Sequence, residues 1–308
     1  MTSLTTPWLD ERLQAAEQAA TDLAGEHRGA DIWLVGALAE RLAHTQSDVD
    51  LLLVHPAGPG PTLPSRLLRG IRIDIRAVTA DTVNNWRTLL DDFTVTRDDV
   101  ETFRRVRAAL PDLTLLRTAR PLTGTPDAVL TPIQRTTYQR WALADRLEAA
   151  ASLAEDLLGL AQAGLYPHAD LVWDQLARIV AQAETVAAGA PLLGEKWLPS
   201  FLARTDKTDD QRAAVPVAVL PAPHWPSAAA HSPWFTPVQL CLAEALLTLW
   251  PLEGTADEAL PEKGLSGFGW LPQRYGDGWF LRRGDARLPL SDGQMLAWQH
   301  SAAQRVRT

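Results

Sequence analysis

The apolar positions near the N-terminus predict a helix followed by a small β-sheet. Residues 8–28 place apolar side chains three to four positions apart, which gives a helix with one apolar face. These positions are Leu9, Leu13, Ala16, Ala20 and Leu23. Three short apolar segments follow at residues 31–35, 49–54 and 71–78, and their length and Val, Leu and Ile content are typical of strands. We therefore expect the first helix to pack on a sheet of these strands.

The pattern after residue 130 predicts mainly helices. Residues 131–188 are rich in Ala and Leu at helical spacing and are interrupted at Gly164–Pro167, which favours two helices in a hairpin. A further helix is predicted at residues 235–249. The Gly276-Asp277-Gly278 segment before an apolar run indicates a β-hairpin, and Ser291 is placed to cap a final helix.

These elements predict an α+β chain of two domains. Residues 1–125 are expected to form a small mixed sheet with flanking helices. Residues 126–308 are expected to form a mainly helical domain, with a short β-hairpin region and a helix from about residue 264. A helix at residues 97–109 is predicted to end at Pro111, because proline removes a helical hydrogen bond.

The composition is that of a soluble globular protein. Apolar residues make up 46% and charged residues 21% of the 308 positions, which suits one large or two ordinary domains. No apolar run approaches the 18 residues of a membrane span, and the first ten residues lack the pattern of a secretory signal. The single cysteine, Cys241, excludes an internal disulfide and fits a reducing, cytoplasmic location.

The net charge of −8 changes the range of expected partners. General nucleic-acid binders carry a basic surface, so a role on long DNA or RNA is disfavoured. A small-molecule acceptor, including a cationic one, fits an acidic chain better. The sequence does not indicate an oligomeric state.

Three aspartates predict a metal site at one edge of the sheet. Asp48 and Asp50 are two residues apart at the start of an apolar strand, so both side chains point to one face. Two close carboxylates repel each other and require a cation, and Mg²⁺ prefers such oxygen ligands. Asp74 lies on an alternating strand beside Arg72 and Arg76, and a third carboxylate suits a two-metal site. A purely structural interpretation also fits, in which Asp48 and Asp50 cap a strand next to a turn and Asp74 pairs with Arg72 and Arg76.

The segment before the acids predicts a site for phosphate. Residues 31–35 form a strand, Gly36 interrupts it, and residues 37–43 read as a short helix. Backbone N–H groups and the positive end of a helix dipole meet at such a turn and attract anions.

Gly36, Asp48, Asp50 and Asp74 together resemble the motif of the DNA polymerase β-type nucleotidyltransferase superfamily. The resemblance covers residues 30–80, and the segment from Ser47 to Leu51 is a close match to the acid motif of that family. Ala37 departs from the pattern, because the family has a serine whose hydroxyl binds phosphate.

The resemblance implies an Mg²⁺-dependent enzyme that binds two ions, with Mn²⁺ as an alternative. It implies that Asp48, Asp50 and Asp74 are catalytic metal ligands, and that Gly36, Ala37 and Ser47 contact the phosphates of a nucleoside triphosphate. The implied reaction transfers a nucleoside monophosphate, with AMP from ATP favoured, to a hydroxyl or similar group of a small molecule. Enzymes that adenylylate antibiotics are of this kind.

Other residues are weaker candidates, and two other functions stay open. Lys196, one of only three lysines, is a candidate for binding the triphosphate. Candidates for a separate general base on the first long helix are Asp145, Glu148 and Glu155. Candidates for ligand contact are Trp225 and Trp234. The alternative functions are a toxin–antitoxin type nucleotidyltransferase that modifies protein or RNA, and a catalytically silent nucleotide-binding or scaffold protein, which Ala37 would allow.

Overall fold

The computed structural model describes residues 7–56, 64–124, 129–204, 225, 233–256, 258–261, 264–265 and 267–307. The chain divides into two compact units. The first contains Met1–Asp92 and Ala108–Tyr138, and the second contains Phe93–Arg107 and Gln139–Thr308. The domain boundary predicted near residue 125 stays a prediction, since residues 125–128 lie outside the described ranges.

The first unit contains a five-stranded mixed sheet with the strand order β3-β4-β2-β1-β5. The central strands β2 and β4 are parallel, and the other neighbouring pairs are antiparallel. The strands are β1 (Asp31–Val35), β2 (Val49–His55), β3 (Arg66–Leu68), β4 (Ile71–Thr79) and β5 (Arg120–Pro121). The described helices that precede β5 in the chain are α1 (Pro7–Glu26), α2 (Gly36–Ala39), α3 (Ala80–Thr88) and α4 (Val100–Thr118). The first part of α4, up to Arg107, belongs to the second unit. The prediction of a small mixed sheet with flanking helices is confirmed.

One face of this sheet is buried under α1. The strands alternate, so every second side chain joins one core with the apolar face of the helix. Its members on β1, β2 and β4 include Ile32, Leu34, Val49, Leu51, Leu53, Ile71 and Ile73. A shift of one residue in register would expose this whole set to water, which fixes the register of the central strands.

The second unit is mainly helical and ends in a small sheet. The predicted helical hairpin is formed by α5 (Pro132–Gln162) and α6 (Tyr166–Ala187), and α5 begins in the first unit. The later helices are α7 (Leu198–Leu202), α8 (Thr236–Leu249) and α9 (Asp292–Arg307), and α8 packs against α6 and α9. Within the described part of the chain, no helix is both long enough and apolar enough to cross a membrane.

The C-terminal sheet is larger than the predicted hairpin. Strands β6 (Leu271–Tyr275) and β7 (Gly278–Arg283) form that hairpin, and β8 (Ala286–Leu290) adds a third antiparallel strand. Ser291 caps α9 as predicted, because its Oγ accepts a hydrogen bond of 3.1 Å from the backbone N–H of Gln294.

Two smaller predictions are wrong, one about the end of a helix and one about the position of Trp225. Helix α4 continues through Pro111 to Thr118, because buried leucines on both sides of the proline, Leu110 and Leu113, keep the helix packed despite one missing hydrogen bond. Trp225 is 4% exposed and donates to Asp170, so it belongs to the protein interior instead of a ligand site. Trp234 is half-buried and packs edge-on against the Trp225 ring, and its contact with a ligand stays a prediction.

Candidate metal centre

The structure brings Asp48, Asp50 and Asp74 together, as predicted. Asp50 on β2 lies directly opposite Asp74 on the parallel neighbour β4, and Asp48 comes one residue before β2 begins. One carboxylate oxygen of each residue lies within 4.8 Å of those of the other two. Since the α1 core takes Val49 and Ile73, the alternation of the strands directs Asp50 and Asp74 to the opposite face.

The immediate surroundings of Asp74 supply one positive charge and one hydroxyl. Ser65 Oγ donates a hydrogen bond of 2.5 Å to Asp74 Oδ1, and Arg72 Nε lies 2.7 Å from the same oxygen. The Ser65 hydrogen bond is the main cause that lowers the pKa of Asp74, and Arg72 adds to it. Arg76, which was expected beside Asp74, instead forms an ion pair of 2.6 Å with Asp112.

Arg72 supplies positive charge to the whole acid group, which consists of Asp48, Asp50 and Asp74. Its guanidinium pKa is raised by the hydrogen bond and charge of Asp74 and further by the charges of Asp48 and Asp50. The Arg72 side chain is 65% exposed, so it can leave the acids without breaking any packing of the protein interior. The sequence predicts the contact of Asp74 with Arg72, whereas it gives no indication of Ser65, because β3 and β4 bring Ser65 to Asp74 only in the folded chain.

The three acids fit a divalent cation of the Mg²⁺ type. All the donors are carboxylate oxygens, which is the donor set that Mg²⁺ and Mn²⁺ prefer. With bonds of about 2.1 Å, two oxygens bound to one octahedral ion are roughly 3–4 Å apart, so a group within 4.8 Å is compact enough for shared ions. Three carboxylates carry more negative charge than the single guanidinium of Arg72 offsets, and divalent ions would neutralise the remainder.

The predicted phosphate-binding residues already have contacts within the protein. The backbone N–H of Gly36 donates a buried hydrogen bond of 2.9 Å to Thr118 Oγ1. Ser47 Oγ accepts a hydrogen bond of 2.9 Å from the backbone N–H of His44. Ala37 is half-buried, and its carbonyl accepts from Glu40 and Leu42. The phosphate contacts of Gly36, Ala37 and Ser47 stay a prediction.

Gly36 has a clear structural reason to be glycine. Its φ is +72°, and a Cβ at this position would lie 2.9 Å from Asp50 Oδ2. A side chain here would therefore strain the backbone and push against a proposed metal ligand.

We expect Gly36→Ala to weaken both metal binding and the fold, whereas Gly70→Ala should weaken only the fold. The positive φ should cost about 1–2 kcal/mol of folding free energy, and the shifted Asp50 carboxylate should lower Mn²⁺ affinity by about tenfold or more. Gly70→Ala is the matched control, because Gly70 has a φ of +79° and open space around its Cβ position. Thermal unfolding and Mn²⁺ titration distinguish the two effects, and equal Mn²⁺ affinities for both variants would contradict the expectation.

Lys196 lies in the second unit, whereas the acids lie in the first. It is exposed in a short 3₁₀ helix (Glu195–Trp197), and its Nζ is 5.2 Å from the ring centroid of Trp197. This position is a cation–π contact with a neighbouring residue. Its proposed role at the triphosphate stays a prediction.

The acids of the first long helix are held in polar networks. Glu148 accepts hydrogen bonds from Tyr275 at 2.6 Å and from Gln273 at 3.0 Å, and it pairs with Arg282. Glu155 lies 3.5 Å from the same Arg282. Because the lone pairs of Glu148 are largely occupied by these donors, the arrangement favours a structural anion over a general base.

Tyr275→Phe should reduce the loss of free energy of unfolding that the protein shows at alkaline pH. Burial, and then the charge of Glu148, raise the pKa of the Tyr275 phenol, so the folded state holds the neutral form. The stability that this provides is complete below the unfolded pKa of about 10 and is lost as the pH rises above it. The wild type should therefore lose more free energy of unfolding than Tyr275→Phe between pH 7 and pH values above about 10.

Urea unfolding at pH 7 and at a pH above about 10 measures this difference in the free energy of unfolding. Tyr166→Phe, which removes a half-buried phenol outside the network, is the control and should follow the wild type. At pH 7 the Tyr275→Phe variant should be about 1 kcal/mol less stable, because one hydrogen bond to Glu148 is lost. Parallel pH profiles for the wild type and Tyr275→Phe would contradict the assignment.

A cavity of about 460 Å³ in the first unit is separate from the acids. Trp33, Val54 and Val83 are among its lining residues. Val54 follows Asp50 by four residues along β2, a distance of about 13 Å. Arg87 and Gln134, which also line it, donate to Val129 and Asp91 respectively, so these polar groups serve contacts within the protein.

Comparison with known proteins adds little to this geometry. No family model matches the chain, and no curated protein matches its sequence. Among solved structures, the chain is similar to a nucleotidyltransferase-like protein from Exiguobacterium sibiricum 255-15, with 16% identity over 76% of this chain and 74% of that one. The TM-score is 0.36, which is too low to support an argument about function. The acid group itself is therefore the basis for a functional assignment.

Proposed function

We propose that this protein is an Mg²⁺-dependent nucleotidyltransferase that acts on a small molecule. It would transfer a nucleoside monophosphate, with AMP from ATP favoured, to a hydroxyl or similar group. The observation that carries the proposal is the register of β2 and β4, which sets Asp50 opposite Asp74 with Asp48 beside them. Three carboxylates in this arrangement suit the clamping of phosphoryl oxygens through metal ions.

In the proposed reaction, an oxygen of the acceptor forms a bond to the α-phosphorus of the nucleotide. The bond from the α-phosphorus to the oxygen that bridges to the β-phosphorus breaks, pyrophosphate leaves, and the acceptor proton passes to solvent or to a base. Asp48 and Asp50 would hold the ion on the nucleotide, and Asp50 and Asp74 would hold a second ion near the acceptor. These ions supply charge neutralisation and a lower pKa for the acceptor hydroxyl.

The contacts of Asp74 support a role as a ligand. Ser65 and Arg72 both stabilise its ionised form and lower its pKa, which makes it a weak proton acceptor and a ready metal ligand. Arg72 would exchange its contact with Asp74 for the negative charge of a bound nucleotide, since its side chain is exposed. The net charge of −8 fits a neutral or cationic small acceptor better than a nucleic acid.

The deciding experiment measures pyrophosphate release with each of the four nucleoside triphosphates and Mg²⁺. The acceptor panel consists of small hydroxylated amines, and mass spectrometry checks that the acceptor gains one nucleoside monophosphate. We expect release that depends on both Mg²⁺ and an acceptor. Isothermal titration that finds no Mg²⁺-dependent binding of any triphosphate would overturn the proposal.

Two other outcomes would identify the rival functions. Label transferred to a protein or to an RNA end, with no small acceptor modified, would assign the macromolecular type of nucleotidyltransferase. Triphosphate binding without pyrophosphate release, together with a protein partner at fixed stoichiometry, would assign a silent nucleotide-binding scaffold. The absence of a hydroxyl at Ala37 is the feature that favours this last function.

A further inference from the structure

Arg12 occupies a position where the helical pattern of α1 calls for an apolar residue. It lies on the buried face of this helix, three residues after Leu9 and four before Ala16, and it is only 7% exposed. Burying a guanidinium is costly unless its N–H groups are hydrogen-bonded. The hydrogen bonds of the Arg12 guanidinium therefore indicate the role of this buried charge.

The guanidinium of Arg12 binds the loop that leads into the acids. Its Nε donates a hydrogen bond of 2.8 Å to the carbonyl of Ser47, and its Nη2 donates to the carbonyl of Thr45. The remaining nitrogen, Nη1, donates to the carbonyl of Trp8 at 3.2 Å, one turn earlier on α1. Arg12 thus ties the loop between α2 and β2 to the first helix.

The carbonyl of Ser47 belongs to the same peptide group as the N–H of Asp48. Because a peptide group is planar, an anchor on this oxygen also fixes the direction in which the Asp48 backbone leaves the loop. A second turn contact, from the Ser47 N–H to the His44 carbonyl at 2.9 Å, holds the other side of Ser47. The orientation of Asp48 therefore depends on how this loop is held.

Asp48 needs such an anchor more than the other two acids do. Asp50 and Asp74 lie within β2 and β4 and are paired in the strand ladder. Asp48 comes before the first residue of β2, Val49, and its side chain is exposed. The sheet does not determine its direction, and the Arg12 contact with Ser47 supplies the missing restraint.

We propose that Arg12 is a positioning residue that holds Asp48 in the geometry of the metal site. This inference rests on the proposed function, because it takes the three acids as the ligands of the nucleotide-bound and acceptor-side ions. The planar fork of arginine spans two carbonyls at once, whereas the single ammonium of lysine is a point charge. Arg12→Lys keeps the charge and removes the bridge.

The test measures how tightly the protein binds Mn²⁺ in the absence of nucleotide. The electron paramagnetic resonance signal of free Mn²⁺ reports the unbound fraction. Arg12→Lys and Arg12→Met should weaken binding by about 10- to 100-fold, as loss of a group that orients a metal ligand does. Leu23→Ala is the control, because Leu23 is fully buried on the same helix and lies 11 positions further along. It should lower the melting temperature and leave Mn²⁺ affinity within about twofold of the wild type.

Turnover gives a second readout that a purely structural role would not change. In Arg12→Lys, a higher Mg²⁺ concentration should restore most of the turnover, since the defect lies in metal occupancy. All titrations are made at temperatures where near-ultraviolet circular dichroism shows the variants folded, and the milder Arg12→Lys variant serves if Arg12→Met does not fold.

The outcomes separate this inference from the proposed function. If the wild type does not bind Mn²⁺, or if Asp50→Asn binds it equally well, both the proposed metal site and the role of Arg12 are overturned. If the wild type binds Mn²⁺ and Arg12→Lys binds equally well while melting earlier, only the positioning role is overturned.

Discussion

Replacement of Asp50 by Asn is expected to abolish Mg²⁺-dependent pyrophosphate release without weakening the fold. Asp50 lies opposite Asp74 and two residues after Asp48, and it would be shared by both ions, so its loss removes a ligand from each. The activity should fall at least about 10³-fold, equivalent to roughly 4 kcal/mol of transition-state stabilisation. Asp48→Asn should have the same direction of effect.

The melting temperature should stay equal or rise in both variants, because mutual repulsion of the carboxylates is relieved. Asp22→Asn, which removes one exposed carboxylate from α1 in the same unit, is the matched control and should keep full activity. Pyrophosphate release and thermal unfolding are measured side by side. A large loss of stability with retained turnover would instead support a structural role for the acid group.

Removal of Arg146 should produce a large loss of stability, because it leaves a buried carboxylate without its main partner. The Asp145 side chain is only 3% exposed, and Arg146 binds it through two nitrogens while also donating to Gln182 at 2.7 Å. Arg107 Nε lies 2.9 Å from the other Asp145 oxygen as an ion pair whose N–H does not point at that oxygen. Arg107 is 55% exposed, so Arg146 is the stronger partner.

Arg146→Met should cost about 3 kcal/mol, since it leaves a buried carboxylate with one weak partner. Asp145→Asn should cost less, about 1–2 kcal/mol, because the arginines that remain can turn toward water. The double variant should be more stable than the sum of the single changes by about 1 kcal/mol or more. Urea unfolding of the four proteins measures this cycle, and simple additivity would show that the pair contributes nothing specific.

Local periodicity was sufficient to predict the main elements and the acid group. The alternation of β4 and the spacing of Asp48 and Asp50 are properties of a few consecutive residues, and burial of one sheet face follows from them. The same reasoning applies to Trp86, Trp141 and Trp173, which fall at apolar positions of helices and are at most 8% exposed.

Predictions that depended on a single residue type were less reliable. Pro111 was expected to end a helix, and Trp225 was expected to contact a ligand, whereas packing against neighbouring apolar side chains decided both cases. The helix penalty of one proline, about 3 kcal/mol, is offset when several large side chains are buried at about 1.5–3 kcal/mol each, so the tertiary environment prevails.

The sequence by itself determined that three carboxylates would meet at one edge of a small sheet. Only the tertiary structure decided how these carboxylates are held and balanced. Ser65 reaches Asp74 through the hairpin of β3 and β4, Thr118 binds Gly36 from 82 positions away, and Arg12 reaches Ser47 across 35 positions. Hydrogen bonds between distant segments leave no periodic pattern in the sequence, because each depends on how separate elements pack together.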